Sequence, residues 1–66
     1  MDQIFAERFK SARVLKGFSL QDLADQLNNV ITRQSLHRYE KGEVIPDSRM
    51  IGLLSDKLGV NPDYFF

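Results

Sequence analysis

The sequence predicts an all-α fold of five short helices, and three observations carry that expectation. Apolar residues recur at helical spacing in successive segments. Ser19, Thr32, Asp47 and Asn61 stand where helix N-caps belong, and Gly17, Gly42 and Gly59 follow the last periodic residue of three segments. No run alternates apolar and polar residues as a half-buried strand does, and neither an internal repeat nor a low-complexity segment occurs.

The first helix is expected from about Gln3 to Lys16, with Phe5, Phe9 and Ala12 as its inner stripe and Gly17 supplying a left-handed end. Ser19 caps the second, and Asp22 three residues on resembles the acid of a capping box. Leu20, Leu23, Ala24 and Leu27 give that helix its apolar face, over barely two turns. A helix so short needs tertiary packing to persist. Asn28-Asn29 breaks the pattern, because asparagine tolerates the left-handed region. Val30 and Ile31 are expected to pin the connector to the core. Thr32 caps a third helix from about Arg33 to Lys41, and Gly42 ends it. After the Glu43–Pro46 loop, Asp47 caps a fourth helix with Met50, Leu53, Leu54 and Leu58 inward. Gly52 inside it is expected to mark a close helix contact. Asn61-Pro62 reads as N-cap and first position of a fifth helix.

Sixty-six residues make one domain, residues 1–66. A chain this short buries only about 60% of the surface its unfolded form exposes, so its core is thin. It ends on Phe65-Phe66, which suggests the N-terminal part of a longer protein; terminal aromatics buried in a core or a dimer interface are the competing explanation. Cysteine is absent, which excludes disulfides, thiolate metal sites and cysteine nucleophiles. No apolar run reaches the roughly 20 residues of a membrane span, and no signal segment opens the chain. A cytoplasmic location with no membrane partner is the expectation.

The net charge is zero, unusual for a nucleic-acid binder, so the distribution matters. Arg8, Lys10, Arg13 and Lys16 form a run without an acid, and Arg33, Arg38 and Lys41 have only Glu40 among them. At about 100° per residue, Thr32, Leu36 and Tyr39 fall within about 60° of arc and are expected to face inward. Gln34, His37, Arg38 and Lys41 lie opposite, with Ser35 and Glu40 flanking the apolar stripe. The outward face of this helix therefore carries no acid. An ordinary solvated face accounts for such a pattern as well as a reading surface does. Yet glutamine suits adenine, arginine suits guanine O6 and N7, and lysine meets phosphate. The free N–H groups of the first turn, at Arg33, Gln34 and Ser35, also favour an anion.

Two short helices joined by a break match a helix-turn-helix. Ser19-Leu20-Gln21-Asp22-Leu23-Ala24, then Arg38-Tyr39-Glu40-Lys41-Gly42, then Pro46, and finally Leu58 to Phe65 (L-G-V-N-P-D-Y-F) stand in a specific order. With Arg13, these blocks resemble the Cro and phage-repressor type of helix-turn-helix domain, of the xenobiotic-response-element family of bacterial regulators, from Phe5 to Phe65. The resemblance implies a compact five-helix lambda-repressor-like bundle with its third helix in the major groove of double-stranded DNA, for transcriptional regulation. By the same resemblance Thr32, Arg33, Gln34, His37 and Arg38 contact bases, His37 reaching either a base or a phosphate. Ser19, Gln21 and Lys41 meet the backbone, Arg13 and Glu40 form a structural ion pair, and a homodimer occupies a palindromic operator. Two departures are visible. Leu20 stands where relatives often carry a phosphate-binding glutamine, and the Asn28–Ile31 connector is longer than the usual turn, similar to a sub-branch with an extended turn.

Two other function classes compete. Catalysis lacks a constellation: the sole histidine, His37, has no carboxylate at a supporting spacing, and no metal or cofactor set can be assembled. A protein-interaction module, such as an antitoxin or bridging domain, is favoured by neutral charge and the apolar Val44-Ile45 tip. The polar outward face of the third helix argues against it, since interaction helices present apolar or aromatic residues.

Overall fold

The computed structural model describes residues 3–66. Among the described residues there are four α-helices: α1 (Gln3–Lys16), α2 (Leu20–Gln26), α3 (Arg33–Glu40) and α4 (Ser48–Leu58). The fifth expected helix is instead a single 3-10 turn, Pro62–Phe65. Its closure runs from the Tyr64 N–H to the Asn61 carbonyl at 2.9 Å and from the Phe66 N–H to the Asp63 carbonyl at 3.1 Å. Four residues opened by a proline hold one tight turn, too few to establish the wider α ladder. No strand occurs among the described residues.

Side-chain caps fix where the helices start. The Ser19 hydroxyl accepts from the Asp22 N–H and the Asp22 carboxylate accepts from the Ser19 N–H, each at 2.9 Å, a complete capping box. Thr32 accepts from the Ser35 N–H at 3.2 Å, and Asp47 accepts from the Met50 N–H at 2.9 Å. Three glycines with positive φ, Gly17 (84°), Gly42 (73°) and Gly59 (69°), turn the chain out of α1, α3 and α4. Leu27 and Lys41 are C-caps rather than helical residues, so α2 and α3 end one residue earlier than expected. Between α2 and α3 both asparagines enter the left-handed region, Asn28 at φ 54° and Asn29 at φ 59°. The Asn29 N–H returns to the Ala24 carbonyl at 3.0 Å, which closes the end of α2.

The core sits between α1, α3 and the 3-10 turn, with α2 and α4 packed against it. Phe5 and Phe9 stack with centroids 5.7 Å apart, Phe65 meets Phe5 at 5.3 Å, and Tyr39 sets its ring nearly perpendicular to both. Leu23, Leu27, Leu36, Ile51, Leu54 and Leu58 are buried around these rings, with Ala6, Ala12 and Ala24 among them. The molecule measures 26 × 22 × 21 Å along its principal axes.

Four expectations change. Ile31 packs on the core but Val30 is 67% exposed, because the two left-handed asparagines aim only one of the two side chains inward. Thr32 is exposed rather than inward: as an N-cap it has extended backbone and leaves the helical wheel. Ile51 belongs to the buried face of α4, while Met50 and Leu53 are half-buried. Gly52 marks no close contact, since a Cβ added there would meet nothing within 4 Å.

Candidate nucleic-acid interface

α3 is a helix of eight residues, about 12 Å long at ~1.5 Å per residue. Leu36 and Tyr39 anchor it to the core and turn its opposite side to solvent. Arg33, Gln34, His37, Arg38 and Lys41 are all exposed on that side. Arg33, Gln34 and His37 have no side-chain hydrogen bond or ion pair among the described residues, so their donors and acceptors are open to a ligand.

The second anchor of α3 is polar. Arg13 of α1 donates through Nε and Nη2 to the two carboxylate oxygens of Glu40, the Nη2 bond being 3.2 Å. Its Nη1 donates to the Phe18 carbonyl at 2.6 Å. Both side chains are largely buried, 13% exposed for Arg13 and 7% for Glu40. A fork–fork pair of this kind is directional as well as charged. One guanidinium therefore fixes the α1–α2 link and the C-terminal turn of α3 in a common frame.

α2 brings further groups alongside. Leu20, its first residue, lines a shallow surface depression with Arg33, Gln34 and His37. Gln21 shares a neighbouring depression with Asn29, Thr32, Arg33 and Gln34. The Ser19 hydroxyl accepts within its cap and keeps its own hydrogen to donate. The Gln21 amide is engaged, donating to Asp25 at 3.0 Å, and would exchange that bond for any phosphate. Thr32 donates to the Ser35 hydroxyl at 3.2 Å. Gln21, Thr32, Arg33, Gln34 and His37 thus line two adjoining depressions, and Arg38 and Lys41 lie toward the C-terminal end of α3.

Two residues of this surface escape the helical wheel. Leu20 counts as core in the sequence pattern, yet it is only half-buried and borders the exposed face of α3. Glu43 lies beyond the end of α3 and still reaches its outward side: its carboxylate is 3.5 Å from Arg38 Nε and 3.2 Å from Lys41 Nζ. The face is acid-free within the helix but not in space. The signal was present as an acid directly after the helix-ending glycine, a position that folds back onto the last turn. The Lys41 ammonium, by hydrogen bond and by charge, and then Arg38 hold the Glu43 carboxyl below its ordinary value. It is a fixed anion at neutral pH.

No group of three or more metal-ligating side chains occurs among the described residues. Nor is any helix among them long and apolar enough to cross a membrane.

A family model described as helix-turn-helix matches residues 9–65. The chain is 44% identical over 61 residues to an SPbeta prophage-derived uncharacterized HTH-type transcriptional regulator of Bacillus subtilis, covering 92% of this chain and 55% of that protein. It is 36% identical over 67 residues to an uncharacterized HTH-type transcriptional regulator of Rickettsia prowazekii, across 100% of this chain and 49% of the relative. A Rickettsia conorii regulator of the same description is also 36% identical, with 51% of its length matched. The chain spans about half the length of these curated relatives. No solved structure matches it significantly. Capped α2, an asparagine turn and α3 anchored by Leu36, Tyr39 and Glu40 are the helix-turn-helix of this match, and the chain belongs to the Cro and phage-repressor type of helix-turn-helix family.

Proposed function

We propose that this chain binds double-stranded DNA sequence-specifically, as the DNA-reading domain of a longer cytoplasmic transcriptional regulator. The observation that carries the reading is the exposed row Arg33, Gln34, His37, Arg38 and Lys41, held outward by buried Leu36 and Tyr39 in a helix-turn-helix chain. α3 enters the major groove. Thr32, Arg33, Gln34, His37 and Arg38 address base edges, while Ser19, Gln21 and Lys41 take backbone phosphates. A homodimer on a palindromic operator sets two α3 helices one DNA turn, ~34 Å, apart. That the relatives are described as HTH-type transcriptional regulators supports the regulatory role. No step requires a cofactor.

Random-site selection on the purified chain tests this directly. Enrichment of a palindrome is the expected result, whereas no enrichment favours a protein partner, for which exposed Val44 and Ile45 offer an apolar tip. On the recovered site, Gln34→Ala and Arg38→Ala each cost about 1–3 kcal/mol and relax preference at one base pair. Lys41→Ala weakens every sequence alike and flattens the salt dependence. Equal losses on selected and scrambled DNA for Gln34→Ala sink the base-reading role.

A further inference from the structure

Glu43 owes its place on the outward face of α3 to backbone geometry. Lys41 is the C-cap and Gly42, at φ 73°, turns the chain back on itself. The Gly42 N–H donates to the Tyr39 carbonyl and the Glu43 N–H to the Arg38 carbonyl, both at 3.1 Å. These two bonds are the Schellman closure, which returns the residue after the glycine to the helix turn it has just left. From there the carboxylate reaches two cations at once, through Oε1 to Arg38 Nε and through Oε2 to Lys41 Nζ. All three side chains are solvent-accessible, so the triplet lies on the surface that α3 offers to a ligand.

The atom that Glu43 engages on Arg38 matters chemically. A guanidinium carries five N–H donors in a rigid fork. A carboxylate on Nε leaves the terminal Nη1 and Nη2 free, and these form a pair suited to guanine O6 and N7. We propose that Glu43 is a positioning and specificity-determining residue: it holds Arg38 so that its terminal fork faces guanine, and it opposes phosphate contacts that bring no matching base. The inference rests on the DNA-reading role of α3. Its carboxylate repels backbone phosphate on every sequence, whereas the oriented fork benefits only a site with guanine at that position. Glu43 therefore weakens binding to all DNA, and weakens it least where the guanine is present.

The substitution that tests this is Glu43→Gln, which keeps the side-chain shape and the backbone closure while removing the charge. Binding of wild type and variant is measured across a salt series on three DNAs. These are the selected site, the same site with the Arg38-dependent G·C pair exchanged, and a scrambled duplex. An exposed ion pair contributes at most about five-fold, so scrambled-DNA affinity rises by roughly two- to five-fold. The salt dependence steepens by about one unit. The ratio of selected to exchanged site falls, by no more than the rise seen on scrambled DNA, and that fall disappears in an Arg38→Ala background. Equal strengthening on all three DNAs, or no change on any, overturns the proposal while leaving the α3 reading intact. A wild-type chain that prefers no sequence overturns the α3 reading, and this inference with it.

Discussion

Ser19 and Asp22 show how much local order two side chains can impose on a seven-residue helix. Their reciprocal bonds occupy two backbone donors that α2 would otherwise leave unpaired. The Ser19 backbone N–H first, and its hydroxyl second, hold the Asp22 carboxyl below its ordinary value of 3.8. The unfolded chain thus takes up this proton more readily than the folded one. The stabilisation is complete above the unfolded value and is lost as the pH falls through it toward the lower folded one. Thermal melts of wild type and Asp22→Asn from about pH 6 to about pH 3 check the sign. The wild-type advantage is expected at the neutral end and shrinks on acidification; a gap that stays constant with pH rejects the assignment. Lys41 and then Arg38 likewise hold the Glu43 carboxyl below its ordinary value.

Among the elements, α3 owes its orientation to contacts with its neighbours. Eight residues are too few to be stable alone, and two kinds of anchor hold them. The apolar anchor is Leu36 and Tyr39 in the core, and the polar one is Glu40 against Arg13. Arg13→Ala would strip a largely buried carboxylate of its partner and release the Phe18 carbonyl as well. Breaking a buried pair from one side costs about 3–5 kcal/mol, discounted here to about 2–4 because Arg13 keeps some contact with water. In a domain of this size each kcal/mol moves the melting temperature by about 4–8 °C, so a fall of at least roughly 8 °C is expected in a thermal melt. An unchanged melting temperature refutes a structural role for the pair. The same cation holds the α1–α2 link, so this substitution should also loosen the alignment of α2 with α3.

For the molecule as a whole, the consequence of small size is dependence on a few aromatic rings. Phe5, Phe9, Tyr39 and Phe65 join α1, α3 and the 3-10 turn. At the usual ~0.05–0.15 kcal/mol per residue, the fold is worth on the order of 3–10 kcal/mol. Truncating a fully buried phenylalanine costs about 3–5 kcal/mol. Phe65→Ala is accordingly expected to unfold a large fraction of molecules at room temperature, visible as lost helical circular dichroism. Phe66, its 62% exposed neighbour, should tolerate the same change within about 1 kcal/mol. Equal effects at the two positions contradict this account of the core. The zero net charge of these 66 residues acts at this scale too: the domain has no net field to draw a charged partner, and only its local patches do so.

The helices, their caps and their glycine ends are readable in the chain because each depends on residues within one turn of one another. Ser19 with Asp22, Thr32 before Arg33, and Gly42 after Lys41 are local chemistry, and periodicity separates Leu36 and Tyr39 from Gln34, His37, Arg38 and Lys41 without knowledge of the fold. The family resemblance is legible for the same reason, as ordered blocks of neighbours. Where the backbone leaves the helical path, that reading stops. Whether Val30 or Ile31 faces inward depends on two left-handed asparagines and on where the core lies. Thr32 turns outward because a cap is not a helical position, and Pro62–Phe65 tightens to a 3-10 turn because it is so short. Gly52 needs no neighbour at all, which only the packed arrangement of α4 reveals. Three positions apart in sequence, Glu40 and Glu43 look alike. Burial against Arg13 commits the first to structure, and the turn at Gly42 delivers the second to the exposed face beside Arg38 and Lys41.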